Sequence, residues 1–136
     1  MTLAIVDAGP LIASFDAADP IHDPSIEALR RRDLRPVIPA MVVAEVSYIV
    51  GRRFGPPAEA EFLASLVHAD VELPTTDDWI RISELVRQYA DFPLGGAEAS
   101  IVALAERVDT SVIITMDHRH FGAVRPRHVD AFELLP

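Results

Sequence analysis

The apolar positions of this chain fall into blocks of two kinds. Continuous runs at Leu3-Ala4-Ile5-Val6, Val37-Ile38, Val71 to Leu73 and Ser111 to Met116 have the length and β-branched content of buried strands. Between them, apolar residues recur three and four apart, the spacing of helices that cover a sheet. After the first run, Asp7-Ala8-Gly9-Pro10 predicts a turn and Leu11 to Phe15 a short helix. Asp23-Pro24 predicts a capped helix through Ile26, Leu29 and Arg30, with proline at its first position. Pro39 opens a helix that carries Glu45 and stops between Gly51 and Gly55, and Pro56-Pro57 opens another with Phe62, Leu63, Leu66 and Val67. Thr76-Asp77-Asp78 caps a helix whose apolar side is Trp79, Ile82, Leu85, Val86 and Tyr89. The loop from Ala90 to Gly96 leads to a helix headed by Glu98 and continued by Ile101, Val102, Ala105 and Val108, and Val129 to Leu135 alternates as a final edge strand. Phe15, Phe62 and Trp79 are expected in the core.

Strands and helices alternating at this spacing predict an α/β fold, with a mostly parallel central sheet covered on both faces. No repeat, linker or low-complexity tract divides the chain, so residues 1–136 read as a single domain.

Four acids sit where such a pattern should hold none. Asp7 and Asp117 each end a strand run, Glu45 interrupts an apolar helix with no charged neighbour within a turn, and Glu98 lies on an apolar stripe. An unpaired buried carboxylate costs several kcal/mol, roughly, so four of them point to a cation that binds them together. In open sheets of this kind the carboxyl ends of the strands are where ligands bind, and all four acids can reach that edge. Taken singly, Asp7 is also a turn former and Glu98 a favourable first-turn acid; Asp77, Asp78 and Asp91 read as capping and loop acids.

Composition narrows the chemistry. The chain has no cysteine, so a metal must be held by oxygen or imidazole, which favours hard ions such as Mg²⁺ or Mn²⁺. The start has no basic segment and reaches an acid too early for a signal peptide or membrane span, which predicts a cytoplasmic protein with no membrane partner. A net charge of −9 argues against coating nucleic acid through bulk electrostatics, though not against cutting RNA, because an acid cluster inflates the count. All 12 basic residues are arginine. Response-regulator receivers and haloacid-dehalogenase-like phosphatases also set acids at strand ends, but both rely on a lysine that is missing here. Arg30-Arg31-Arg32 and Arg52-Arg53 are accounted for as helix-end charges.

Four segments together carry a resemblance: Val6 to Leu11, Val43 to Val46, Pro93 to Arg107 and Ile114 to Phe121. In this order and spacing they resemble the PIN-domain ribonucleases, most of all the bacterial toxins of VapC type, and the likeness continues through the tail to Pro136. The resemblance implies a three-layer α/β/α fold, a homodimer, and a metal-dependent endoribonuclease held inactive by a cognate antitoxin. It also implies in-line hydrolysis leaving a 3′-hydroxyl and a 5′-phosphate, on a structured RNA such as tRNA or ribosomal RNA. In one place the chain departs from the family, whose third acid is usually aspartate where Glu98 stands. The extra methylene moves the carboxylate by roughly 1.5 Å.

Hydrolysis of a phosphodiester needs an activated water and relief of phosphate charge, which carboxylate-held Mg²⁺ provides. Asp7, Glu98 and Asp117 are the expected metal ligands, the last directly or through water, and Glu45 would orient or deprotonate the attacking water. Thr115 and Arg119 are the expected substrate contacts, with Thr115 also placed to hydrogen-bond an acid; His118 and His120 are further candidates. A second reading is a PIN-like interaction module with weakened catalysis, and Glu98 is the feature that favours it.

Overall fold

The computed structural model describes residues 1–136. Five strands form one fully parallel sheet: β1 (Thr2–Val6), β2 (Leu34–Pro39), β3 (Asp70–Glu72), β4 (Val112–Ile114) and β5 (Glu133–Leu135), in the order β3-β2-β1-β4-β5. The helices are α1 (Ala8–Ala13), α2 (His22–Leu29), α3 (Ala40–Phe54), α4 (Pro56–Ser65), α5 (Thr76–Gln88), α6 (Gly96–Val108) and α7 (His118–Ala123). The chain steps outward from β1 to β3, then returns to β4 on the other side of β1. Right-handed crossovers therefore put α1–α4 on one face and α5–α6 on the other, the expected α/β/α layering. The core lies where these layers meet: Ala4, Ile5, Val6, Ile113 and Ile114 from the sheet, Val42, Val46 and Val50 from α3, and Ile101, Val102 and Ala105 from α6, all without exposed surface.

Several boundaries differ from the sequence reading, each for a physical reason. α1 starts at Ala8 rather than Leu11, because Asp7 itself caps it: its side chain accepts from the Ala8 N–H, and Pro10 is tolerated in a first turn whose N–H groups have no intrahelical partner. α2 starts at His22, with Asp23 in its first turn rather than at its cap, and Ile21 caps it without a side-chain bond. β2 is longer than Val37-Ile38. Pro36 pairs only toward β1 and Pro39 only toward β3, so neither proline interrupts both ladders. Thr75 rather than Thr76 caps α5, in a reciprocal box with Asp78 at 3.1 Å in each direction.

Trp79 is 51% exposed and does not belong to the core. The inward face of α5 runs through Asp78, Ile82, Leu85 and Tyr89, which leaves Trp79 and Val86 one position round the helix, in water. Phe62 is buried against the half-buried Phe15, ring edge to face at 5.9 Å. α3 ends at Gly55, whose φ of 90° is a left-handed conformation that glycine adopts without strain.

Candidate active site

The strand order reverses between β1 and β4, which creates a switch point, and two of the four acids flank it. The Asp7 N–H donates to the Ile114 carbonyl at 2.9 Å, which carries the ladder one residue beyond β1. Thr115 continues β4 and is wholly buried. Its hydroxyl donates to Asp7 Oδ2 at 2.7 Å and accepts from the Asp117 N–H at 2.9 Å, while Asp7 Oδ1 accepts from the Ala8 N–H at 2.8 Å. One hydroxyl thus fixes the Asp7 carboxylate and the backbone of Asp117. With no exposed surface, Thr115 cannot meet substrate, so the expected substrate contact is corrected to the other expected role, holding the acids.

Glu45 and Glu98 arrive from α3 and α6. Both are half-buried, as is Asp117; Asp7 alone is buried. The expectation of four buried charges is therefore corrected to one buried and three at the rim, where the longer side chains keep contact with solvent. Glu98 lies in the first turn of α6 and folds back over the cap: a Cβ at Gly95 would stand 2.6 Å from Glu98 Oε2. The bare backbone at Gly95 is what lets the carboxylate lie there.

The acids share one field. The Asp7 carboxyl is pushed above its ordinary range, first by burial and then by Glu98 and Asp117, against the lowering bonds from Thr115 and Ala8. Glu45 is raised by burial, then by Glu98 and Asp7. None of Asp7, Glu45 and Glu98 has an arginine or histidine partner. Only Asp117 has one, His120 Nδ1 at 2.9 Å, and its Oδ1 also caps α7 by accepting from the His120 N–H. No three of these side chains close on a single point as they stand. What fits a hard divalent cation is the donor chemistry: four carboxylates, three of them with no arginine or histidine beside them.

The bridge from Thr115 gives a direct test. Thr115→Val removes the donor to Asp7 and leaves the Asp117 N–H without its acceptor, which is expected to cost about 2 kcal/mol. Urea unfolding in the presence of EDTA measures this, and Thr115→Ser should restore most of it. A valine variant as stable as the wild type would show the bridge to be idle.

The family model of the PIN domain matches residues 4–125. The chain belongs to the PIN-domain family. Within it the chain falls among the VapC ribonucleases, being 36% identical over 134 residues to Ribonuclease VapC26 of Mycobacterium tuberculosis (strain ATCC 25618 / H37Rv), a match covering 97% of this chain and 99% of that one. Among solved structures, the fold is similar to Mycobacterium tuberculosis VapC20, described as a sarcin-ricin loop cleaving toxin, with a TM-score of 0.80, 17% identity, and 97% of this chain and 100% of that one covered. It is also similar to a chain of VapBC2 from Rickettsia felis bound to a promoter DNA fragment, with a TM-score of 0.72 and 14% identity over 99% and 100% of the two chains. A chain of a toxin-antitoxin complex from Klebsiella pneumoniae gives 0.69 and 20% over 93% and 99%.

In this PIN domain the structure also gathers residues that the sequence reading passed over. Phe92, treated only as part of a loop, stacks on His120 with ring centroids 4.6 Å apart. Arg81 and Glu106 form a nearly buried pair between α5 and α6. The only sequence signal for either was an apolar or charged residue at an otherwise ordinary position.

Proposed function

We propose that the protein is a metal-dependent endoribonuclease of the toxin type, acting on structured RNA such as tRNA or ribosomal RNA, working as a homodimer and neutralised by a cognate antitoxin. The observation that carries this reading is the Asp7–Thr115–Asp117 bridge at the switch point, with Glu45 and Glu98 coupled to it electrostatically. Asp7, Glu98 and Asp117 would hold Mg²⁺ or Mn²⁺. Such an ion, when bound, neutralises phosphate oxygens and lowers the pKa of water.

The remaining work falls to the chain itself. Thr115 holds the Asp7 carboxylate and the Asp117 backbone in place, so that Asp7 does not reorganise as charge develops. Glu45 has a carboxylate made more basic by burial and by its acidic neighbours, which suits it to take a proton from the attacking water. Arg119, exposed beside Asp117, offers positive charge to a phosphate. An antitoxin that covers this rim would bring a basic, arginine-bearing segment.

The test is cleavage of total bacterial RNA by the purified, antitoxin-free protein in Mg²⁺, Mn²⁺ or EDTA. Discrete fragments that require metal are expected. Glu98, folded over Gly95 where an aspartate is usual, is the observation that favours the alternative of a weakened interaction module. Glu98→Asp run alongside separates the two: an inactive wild type with an active Glu98→Asp variant establishes the module.

A further inference from the structure

Seven of the twelve arginines bond to acids or to nearby oxygens, and of the five that do not, Arg30, Arg32, Arg53, Arg87 and Arg119, only Arg119 lies within two residues of a site acid. Arg31, Arg35, Arg81, Arg107 and Arg127 all meet carboxylates. Arg119, two residues from Asp117 in a chain with 21 acids, meets none and donates no hydrogen bond within the protein. Its guanidinium instead lies over the ring of Phe92, with Cζ 5.0 Å from the centroid. That contact differs from a salt bridge in what it leaves free. A carboxylate occupies the N–H donors of arginine, whereas an aromatic face attracts the charge and leaves all five available.

The same ring stacks on His120 at 4.6 Å, and His120 is tied to Asp117 through its backbone N–H and its ring. Phe92 comes from the loop between α5 and α6, just ahead of the helix that carries Glu98. A half-buried aromatic residue thus places an unspent guanidinium at a fixed position beside an acidic rim that would otherwise repel the RNA backbone. We infer that Phe92 is a positioning residue that holds Arg119 ready to bind a phosphate of the RNA next to the bond that is cut.

This rests on the ribonuclease reading, and the experiment separates the two. Binding of a fluorescein-labelled RNA hairpin with a single-stranded loop is followed by anisotropy at several salt concentrations, using Asp7→Asn protein so that nothing is cut. Added Phe92→Ala and Arg119→Ala changes should each weaken binding about tenfold and flatten the logarithmic salt dependence by about 0.7, the share of one single-strand phosphate contact. The double variant should be no weaker than either single one, and Phe92→Trp should bind like the parent. In the otherwise wild-type protein, Phe92→Ala should raise KM more than it lowers kcat and leave the Mn²⁺-induced rise in melting temperature intact. If Phe92 merely supports His120 and Asp117, Phe92→Ala would lower kcat and the Mn²⁺ effect while keeping the full salt slope, and the inference falls although the ribonuclease stands. A wild type that neither binds nor cuts RNA overturns both.

Discussion

Asp7→Asn is expected to abolish RNA cleavage, by at least about a thousandfold, while raising the melting temperature of the metal-free protein at neutral pH. The catalytic half follows from position: Asp7 is the most buried of the four acids and the one reached by the fields of Glu98 and Asp117 together. A lost contribution of about 4 kcal/mol to transition-state charge stabilisation corresponds to that factor. The stability half follows from linkage. Burial, then Glu98 and Asp117, raise the Asp7 pKa in the folded protein above its unfolded value, outweighing the Thr115 and Ala8 bonds. A carboxyl raised in this way contributes stability that is complete below its unfolded pKa and lost as pH rises through the folded one. At neutral pH the ionised side chain therefore opposes folding, and asparagine removes the charge while keeping one acceptor for Thr115 or Ala8. Calorimetry at pH 7 in EDTA reads the gain, at about 4 °C for each 1 kcal/mol. Added Mn²⁺ should reverse the order, since only the wild type gains by binding it. A lower melting temperature for the variant in EDTA would sink the electrostatic account, and retained cleavage the catalytic one.

Asp7 and Asp117 were legible because each closes an apolar run, and a parallel sheet delivers the ends of such runs to one edge. Glu45 stood out because nothing near it in sequence explains a charge. Glu98 was legible as a helix-start acid, but its fold back over Gly95 was not, since that depends on rotamers and on an absent Cβ. Periodicity gave the inward face of α5 through Ile82 and Leu85 yet placed Trp79 there too, because spacing defines a stripe and not how far the neighbouring layer covers it. The length of β2 depends on pairing with β1 and β3, which are distant in sequence. The Phe92–Arg119–His120 cluster likewise depends on distant partners, joining a loop to a helix start across the rim. What a single sequence withholds here is the set of contacts made between elements rather than the elements themselves.

Glu106→Ala is expected to destabilise the protein by about 3 kcal/mol, the cost of breaking a buried pair from one side. Glu106 Oε1 accepts from Arg81 Nε at 2.7 Å, and Oε2 accepts from Arg81 Nη2 at 2.9 Å and from the Arg127 N–H at 2.8 Å. Both side chains of the pair are only 11% exposed, so solvent screens them weakly. Without Glu106, Arg81 keeps only Glu84, at 3.7 Å on its own helix, and the Arg127 N–H loses its acceptor. The pH dependence has the opposite sign to that of Asp7. Burial alone would raise the Glu106 pKa, but the Arg81 bond, the Arg127 N–H and the two positive charges together bring it below its ordinary value. Its contribution is therefore present above the unfolded pKa and lost as pH falls through the folded one. Metal-free wild type should thus gain stability as pH falls from neutral and Asp7 and Glu45 take up protons, then lose it at lower pH as Glu106 is protonated. Urea unfolding across this range should show the acid-side fall reduced in Glu106→Ala and the gain nearer neutrality unchanged. Cleavage by the fraction that stays folded should persist, because Glu106 sits in the last turn of α6 and Glu98 in its first. A variant as stable as the wild type would show that the pair between α5 and α6 only balances its own desolvation.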